Sequence, residues 1–308
     1  MLNVICIMKY DKVNKDVGFI EETHTYKNLN DDSIKYTSVT TLIGKYEPEF
    51  DKEFVSKYKA LERLVPATEW KKEKGGIWKS KNIPKDYLEV KDISEELLNK
   101  TQQDILDEWT KINKESCERG TKIHSQLENS FYNAGSNITL KKFGIGGKFE
   151  CKKNYNELDL EYGIYPEYLI YYDNPNLDLH IAGQIDLLVK NGNEINIIDH
   201  KTNKKIDLKG FYNNASRTTE KLKYPLTSLD NCNFNVYQLQ LSTYAWMLQK
   251  INPDFVIKNL ILNHYDHEGK NTLYPCTYLK DEVEMMLKHF VKQNKLNKQR
   301  AKYARIEY

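Results

Sequence analysis

The sequence predicts an α/β protein of the α+β type, with a central mixed β-sheet flanked by helices and, ahead of it, a hairpin and a helical lobe. Three observations predict it. Residues 163–202 hold three strand-like runs in succession, "YPEYLIYY", "HIAGQIDLLV" and "NEINIIDHKT". Residues 50–130 are highly charged and carry helical periodicity instead. Beyond residue 236, "VYQLQLSTYAWMLQK" reads as an amphipathic helix and "VIKNLILNHYD" as one more strand.

In chain order, residues 17–43 give two short β-rich runs separated by the turn former "NLNDDS", hence a hairpin, and Ser38 or Thr40 is placed to cap a following helix. Pro66, Gly75-Gly76 and Pro84 interrupt the helical stretch, whose longest periodicity runs from "DISEELL" to "SFYNAG". In the sheet segment, "DNPNLD" and "KNGN" join the three runs, the second being a strong tight-turn signal. The expected divisions are 1–130 for hairpin and helical lobe, 131–270 for the sheet core, and 271–308 for a basic helical tail.

Composition narrows the function classes. With 308 residues, 40% hydrophobic and 12% aromatic, the chain can bury a large core. Its apolar runs are too short to span a bilayer, and "MLNVICIMKY" lacks the features of a signal peptide, so a cytoplasmic protein without membrane contact is expected. The five cysteines include no C-x-x-C pair, and neither a zinc ribbon nor a disulfide framework follows from their spacing. A net charge of +2 does not announce a polyanion partner, so any nucleic-acid surface must come from local clustering.

Charge inside the sheet segment carries the chemistry. Alternation along a strand sends Asp199 and Lys201 to one face and Ile198 and His200 to the other. The "NGN" turn folds the preceding strand back antiparallel, which brings Asp186 beside Asp199. Like charges that close are destabilising without a cation, and Glu167 on the strand before is placed to add a third carboxylate. Such an oxygen-rich site suits Mg²⁺ or Mn²⁺. Read alone, a D-x-K after an apolar run is more often an ordinary salt bridge, but here several features occur together.

Glu167, Asp186 and Asp199-His200-Lys201 resemble the E…D…(D/E)-x-K signature of the PD-(D/E)XK nuclease superfamily. The chain is most similar to its RecB-type and phage exonuclease branch, which adds G-x-x-x-H upstream and Q-x-x-x-Y downstream; both are present, as Gly120 to His124 and Gln240 to Tyr244. Thr202 after the lysine and "THTY…YTSVTTLI" near the amino terminus add to the resemblance, which covers roughly residues 18–265. Singly these motifs are weak, since His124 with Glu128 reads as a surface pair and Gln240 with Tyr244 as the polar margin of a core helix.

The resemblance implies a restriction-endonuclease-like core and a metal-dependent DNA exonuclease acting in phage DNA recombination, repair or processing, with a recombination or replication protein as a further partner. Asp186, Asp199, the His200 carbonyl, Glu167 and His124 would hold Mg²⁺ or Mn²⁺. Lys201 would orient the attacking water and stabilise its hydroxide form, and Gln240, Tyr244 and Arg119 would grip DNA. The four-cysteine iron–sulfur cluster of some relatives is not expected, because its C-x-x-C is missing. Glu161 lies close enough in sequence to be an alternative to Glu167.

Two further stretches are candidates for DNA contact. "TEWKKEKGGIWKSKN" interleaves Trp70 and Trp78 with five lysines, a composition suited to stacking single-stranded bases or to a solvated loop. Residues 288–305 carry seven basic residues and no acid, which suits either phosphate contact or an amphipathic helix. Two rival readings remain at this stage: a structure-specific endonuclease on the same fold, and a non-catalytic nucleic-acid-binding or virion protein. Retention of every acid and the lysine weighs against the second.

Overall fold

The computed structural model describes residues 10–84, 86–153, 160–213 and 217–304; Cys6 and Arg305 lie outside them. The chain forms β1 (Lys12–Asn14), β2 (Val17–Ile20), β3 (Thr25–Asn28) and β4 (Thr37–Ser38), then α1 (Val39–Gly44), α2 (Lys52–Leu64), α3 (Ala67–Ser80), α4 (Tyr87–Val90) and the long α5 (Glu95–Ala134). Next come β5 (Ile138–Leu140), β6 (Ile145–Phe149), β7 (Gly163–Asn174), β8 (Leu179–Asn191), β9 (Glu194–Lys201) and the short β10 (Tyr212–Asn213) and β11 (Thr218–Thr219). Last are α6 (Asn233–Ile251), β12 (Val256–Tyr265), β13 (Asn271–Cys276) and α7 (Lys280–Ala304). No helix is long and apolar enough to cross a membrane among the described residues.

The described residues divide into two compact units, one within Met1–Glu47, Lys122–Tyr212 and Thr219–Tyr308, the other within Pro48–Thr121 and Asn213–Thr218. The division falls inside α5, so the expected first segment, 1–130, is shared between them: β1 to β4 belong with the sheet. The helical unit has its own core, in which Phe54, Tyr58, Leu61, Trp70, Ile77, Leu98 and Ile105 pack together.

In the sheet unit, β1, β2 and β3 form an antiparallel meander. The turn expected at "NLNDDS" is present, with Asn28 Oδ1 accepting from the amides of Asn30 and Asp31 at 2.9 and 3.0 Å. The hairpin expected across it is reduced to a single antiparallel bridge, Lys27 to Lys35, and the residues that follow, Thr37 and Ser38, pair with β8 instead. Ser38 is the residue that caps α1, its Oγ accepting from Thr41 N at 3.0 Å.

The central sheet has six strands and mixed direction. β7 runs antiparallel along the whole of β8, from Gly163↔Lys190 to Asn174↔Leu179. The other edge of β8 is shared: β9 takes residues 187–191 antiparallel, and β4 takes Ile181 and Ala182 in parallel. Gly192, at φ +61°, closes the β8–β9 turn in the left-handed conformation that glycine adopts without strain. From β9 the chain crosses through α6 to β12, which lies parallel to β9, and β13 completes the edge antiparallel.

Both faces of the sheet are buried, and the alternation of strand residues shows it. Leu188, Ile195, Ile197, Leu260 and Leu262 pack with α6 and α7, whereas Leu187, Val189, Ile198 and Ile261 pack with Phe143, Ile145 and Phe149. The basic tail is not separate from this core, because Val283, Met286, Leu287 and Phe290 of α7 are buried in it. α6 is buried nearly all round through Gln238–Leu248 rather than on one stripe. It approaches the sheet closely at Gly183, where an added Cβ would lie 2.5 Å from Tyr244 Cε1 and 2.9 Å from its Oη.

That contact predicts that Gly183→Ala destabilises the fold by about 1–3 kcal/mol, the usual cost of overpacking a filled core. Denaturant unfolding should show this loss in the wild-type background and little of it in a Tyr244→Ala background, where the ring that occupies the space is absent.

Candidate metal centre

The site begins where the β8–β9 ladder stops. Pairing runs from Asn191↔Glu194 to Leu187↔Ile198 and goes no further. The His200 amide instead donates to Asp186 Oδ2 at 2.6 Å. On β7 and β8 the alternation breaks at the same level: Tyr165 and Tyr168, and Ile185 and Leu188, are each three apart, yet all four join the core beside α6. Between them, Glu167 sits opposite Asp186 with φ +49°, a left-handed conformation that costs a non-glycine residue about 1–3 kcal/mol. This paired break takes both carboxylates out of the regular faces of the sheet.

His124, on the part of α5 that belongs to the sheet unit, meets them. Its Nε2 lies 3.0 Å from the His200 carbonyl oxygen, and its Nδ1 lies 3.5 Å from Glu167 Oε1 and 3.6 Å from Asp186 Oδ2. A carbonyl can only accept, so Nε2 carries hydrogen, and in the neutral ring Nδ1 is the nitrogen with a free lone pair. His124, Glu167 and Asp186 thus form a group whose ligand atoms all lie within 4.8 Å of one another and can hold a divalent cation.

Asp199 and Lys201 share the face of β9 that packs on α6, as alternation requires. Lys201 Nζ lies 2.7 Å from Asp199 Oδ2, donates to Gln240 Oε1 at 3.2 Å and sits 4.4 Å from the centre of the Tyr237 ring. Gln240 Nε2 donates in turn to Tyr244 Oη at 3.2 Å. Asp199 Oδ1 is fully buried and finds no hydrogen-bond donor among the described residues. A buried carboxylate oxygen left this way is costly, and a cation beside it would answer the cost. The donor set, one imidazole nitrogen and several carboxylate oxygens, fits Mg²⁺ or Mn²⁺.

The electrostatics follow from this crowding. Burial alone would pull the His124 imidazole down, but the carboxylates of Asp186, Glu167 and Asp199 outweigh it and push it up to about 9. Asp186 is pushed up to about 7, by burial first and then by the charge of Asp199. Burial also raises Glu167, but the hydrogen bond from His124 and the charges of Lys12 and His124 more than offset it and hold the carboxyl low. Lys201 is opposed by burial and kept cationic by Asp199 and Asp186, so it does not serve as a free base. The His200 ring is pushed down to about 3, chiefly by burial, and its Nδ1 accepts from Asn263 Nδ2 at 2.9 Å.

Several expected residues take other places. The His200 carbonyl is engaged by His124, and Asp199 is paired with Lys201; the three residues whose ligand atoms come within 4.8 Å of one another are His124, Glu167 and Asp186. Glu161 is exposed beside Lys152, which leaves Glu167 as the acid of β7 at the site. Tyr244 is buried against Gly183 and is no stacking platform for a base. Trp70 is buried in the helical unit, 4.8 Å from the Tyr58 ring centre, and half-buried Trp78 packs on the same ring at 5.0 Å. Arg119 lies on α5 in that unit. The stretch containing both tryptophans is α3, a helix, despite Gly75 and Gly76.

Two residues of the site escape sequence reasoning. Lys12 of β1 lies 3.6 Å from Glu167 Oε2 and 3.3 Å from Glu128 Oε1, placed there because Asn14 Nδ2, two residues on, donates to the Leu169 carbonyl of β7 at 2.6 Å. No local pattern announces a lysine so far from the acids in sequence. Tyr237, one turn before Gln240 on α6, had a signal, its i,i+3 spacing from that residue.

No family model and no curated protein matches the chain. Among solved structures, the "Putative exonuclease" of Eubacterium rectale superposes with a TM-score of 0.32 at 11% identity, over 87% of this chain and 82% of that one. A likeness of that degree fixes neither architecture nor chemistry, which rest on the site's own geometry.

The coupled charges predict a pH dependence for the metal-free chain. His124, raised from 6.5, contributes stability below that value that is lost as pH rises through about 9. Asp186, raised from 3.8, costs stability increasingly as pH rises through about 7. Both slopes have the same sign. In thermal unfolding with EDTA, the melting temperature of wild type minus that of Asp186→Asn should therefore fall from mildly acidic to mildly alkaline pH. Added Mn²⁺ should raise the wild-type value most at the alkaline end, where the ligands are unprotonated. A difference that grows with pH would contradict the arrangement.

Proposed function

We propose that the chain is a metal-dependent deoxyribonuclease that hydrolyses phosphodiester bonds from free DNA ends. The observation that carries this reading is the meeting of His124 Nδ1, Glu167 and Asp186 where the β8–β9 ladder ends, beside a lysine clamped between Asp199 and Gln240. Carboxylates this close are unsuited to binding a phosphate unaided, and a fixed ammonium next to them has a use when negative charge develops on the phosphate.

His124, Glu167 and Asp186 would hold the ion, and the unmatched Asp199 Oδ1 is a further oxygen for it. When bound, Mg²⁺ or Mn²⁺ supplies Lewis acidity, making water nucleophilic near neutral pH and offsetting charge on the phosphate. The chain's own groups do the rest. Nε2–H donation to the His200 carbonyl fixes the His124 tautomer. Asp199 and Gln240 orient Lys201, whose permanent charge stabilises the attacking hydroxide and the transition state. The site is recessed: the side chains of Glu167, Asp186, Asp199 and Lys201 keep only 14, 10, 2 and 16% of their exposure. Recession favours an end threaded in over a continuous duplex laid across. The resemblance of the motifs extends this reading to phage DNA recombination, repair or processing in a host cytoplasm, with a recombination or replication protein as partner.

Digestion of end-labelled linear DNA with Mg²⁺, Mn²⁺ or EDTA tests it. Cleavage should require the metal and spare covalently closed circles. Lys201→Ala should lower turnover by roughly two to four orders of magnitude, as expected of a positioned catalytic group, and should also lower stability, because buried Asp199 loses its partner. Full activity in EDTA refutes the metal site, and rapid linearisation of circles identifies an endonuclease instead.

A further inference from the structure

Between β9 and α6, the described residues of 202–213 and 217–232 are knit tightly. Asp207 N donates to Asn233 Oδ1 at 2.7 Å, and Asn233 Nδ2 donates to the Lys205 carbonyl at 3.1 Å. Glu220 N donates to the Phe211 carbonyl at 2.9 Å, and Asn231 N to the Glu220 carbonyl at 2.8 Å. Gly210 allows the two limbs to meet, since a Cβ there would lie 2.4 Å from the Glu220 carbonyl oxygen. This framework holds Phe211 out toward solvent, 64% exposed. An apolar ring displayed on a pinned loop differs from one exposed on a loose tail, because its position is fixed in advance.

Phe211 borders a cleft of about 690 Å³ that is also lined by Lys205, Lys209, Asn231, Glu47 and Tyr237. That volume lies in the range of small-molecule sites. Lys205 is matched by Asp207 at 2.7 Å, whereas exposed Lys209 forms no ion pair among the described residues. Glu47 and Asn231 offer polar groups to a base edge. Tyr237 connects the cleft to the site, since the ring that lines the cleft also lies under Lys201 Nζ, and its Oη donates to Asn203 Oδ1 at 2.8 Å.

We infer that this cleft is a nucleotide subsite, which takes one unpaired nucleotide of a single DNA strand next to the scissile phosphate, the base against Phe211 and a phosphate at Lys209. The inference rests on the nuclease reading and deepens it: a site that reads an unstacked base selects a single-stranded end. The stacking aromatic of this chain is then not Trp70 or Trp78, which are packed in the helical unit, but Phe211 on the rim of the cleft. Base–aromatic stacking suits such a role because every base has a face to offer.

The test uses the full chain and a short labelled oligothymidylate in EDTA, read by fluorescence anisotropy, with metal-dependent digestion of the same oligonucleotide alongside. Phe211→Ala should weaken binding at least about fivefold, and Phe211→Tyr should restore it. Lys209→Ala should reduce the slope of log affinity against log salt by about one. If wild type digests the oligonucleotide but Phe211→Ala binds and digests it as wild type does, the subsite is refuted and the nuclease reading stands. If wild type neither binds nor digests DNA with any metal, both fall together.

Discussion

The site depends on one hydrogen bond that stands where a rung of the sheet would be. The Asp186 carboxylate takes the His200 amide at 2.6 Å, and the β8–β9 ladder ends there. Had the ladder continued, a backbone group would have met that amide and Asp186 would have been one more side chain on a face. With the side chain in the ladder, β8 and β9 part, the freed edge of β8 turns to β4 at Ile181 and Ala182, next to Gly183, and the His200 carbonyl is left for His124. The strained backbone of Glu167 belongs to the same event, since it lies opposite Asp186 at the level where both strands lose their alternation. Strain of a few kcal/mol at one residue persists only where the surroundings over-determine it, and here two sheet edges and a helix do so.

Charge balance explains why this cluster holds together. Glu128, Glu167, Asp186 and Asp199 converge on Lys12, His124 and Lys201, and every acid has a cationic neighbour: Lys12 serves Glu128 and Glu167, His124 serves Glu167 and Asp186, Lys201 serves Asp199. The charge of His124 is a proton on the ring, lost as pH rises through about 9. A divalent ion entering among His124, Glu167 and Asp186 would displace that proton rather than either lysine, so metal and proton compete for the same lone pair. Lys201 is spared the competition because Asp199 and Gln240 hold it to one side.

What was legible in the sequence was whatever a short period repeats. Asp199 and Lys201 share a face because strands alternate, and the sheet strands were visible as apolar runs closed by turn formers. His124 was found because a spaced motif marks it. Contacts across long stretches of sequence left no such trace: Lys12 reaches Glu167 only because Asn14 ties β1 to β7. Composition misled where burial decides. Trp70 among lysines reads like a stacking track, yet it lies on the inward face of α3, with the lysines of that helix turned outward. The resemblance of their motif assigns Gln240 and Tyr244 to DNA, and taken alone they read as the polar margin of a core helix; α6 has no margin there, and the pair is interior.

That interior position gives α6 its part in the site. Tyr244 is seated on the only kind of residue that admits its ring, the glycine at 183, and this sets the height of the helix above β8. Gln240, one turn earlier, is held by Tyr244 Oη and meets Lys201; Tyr237, almost one turn earlier again, places its ring under the same ammonium. Three residues spaced along one helix face thus carry the precision of core packing out to a side chain at the mouth of the site. Lysine has four rotatable carbons and would otherwise disperse its charge over many positions. Fixing it by an amide, a carboxylate and a ring confines that charge to the place where a phosphate would meet it, and does so with groups whose own freedom was already removed when the core formed.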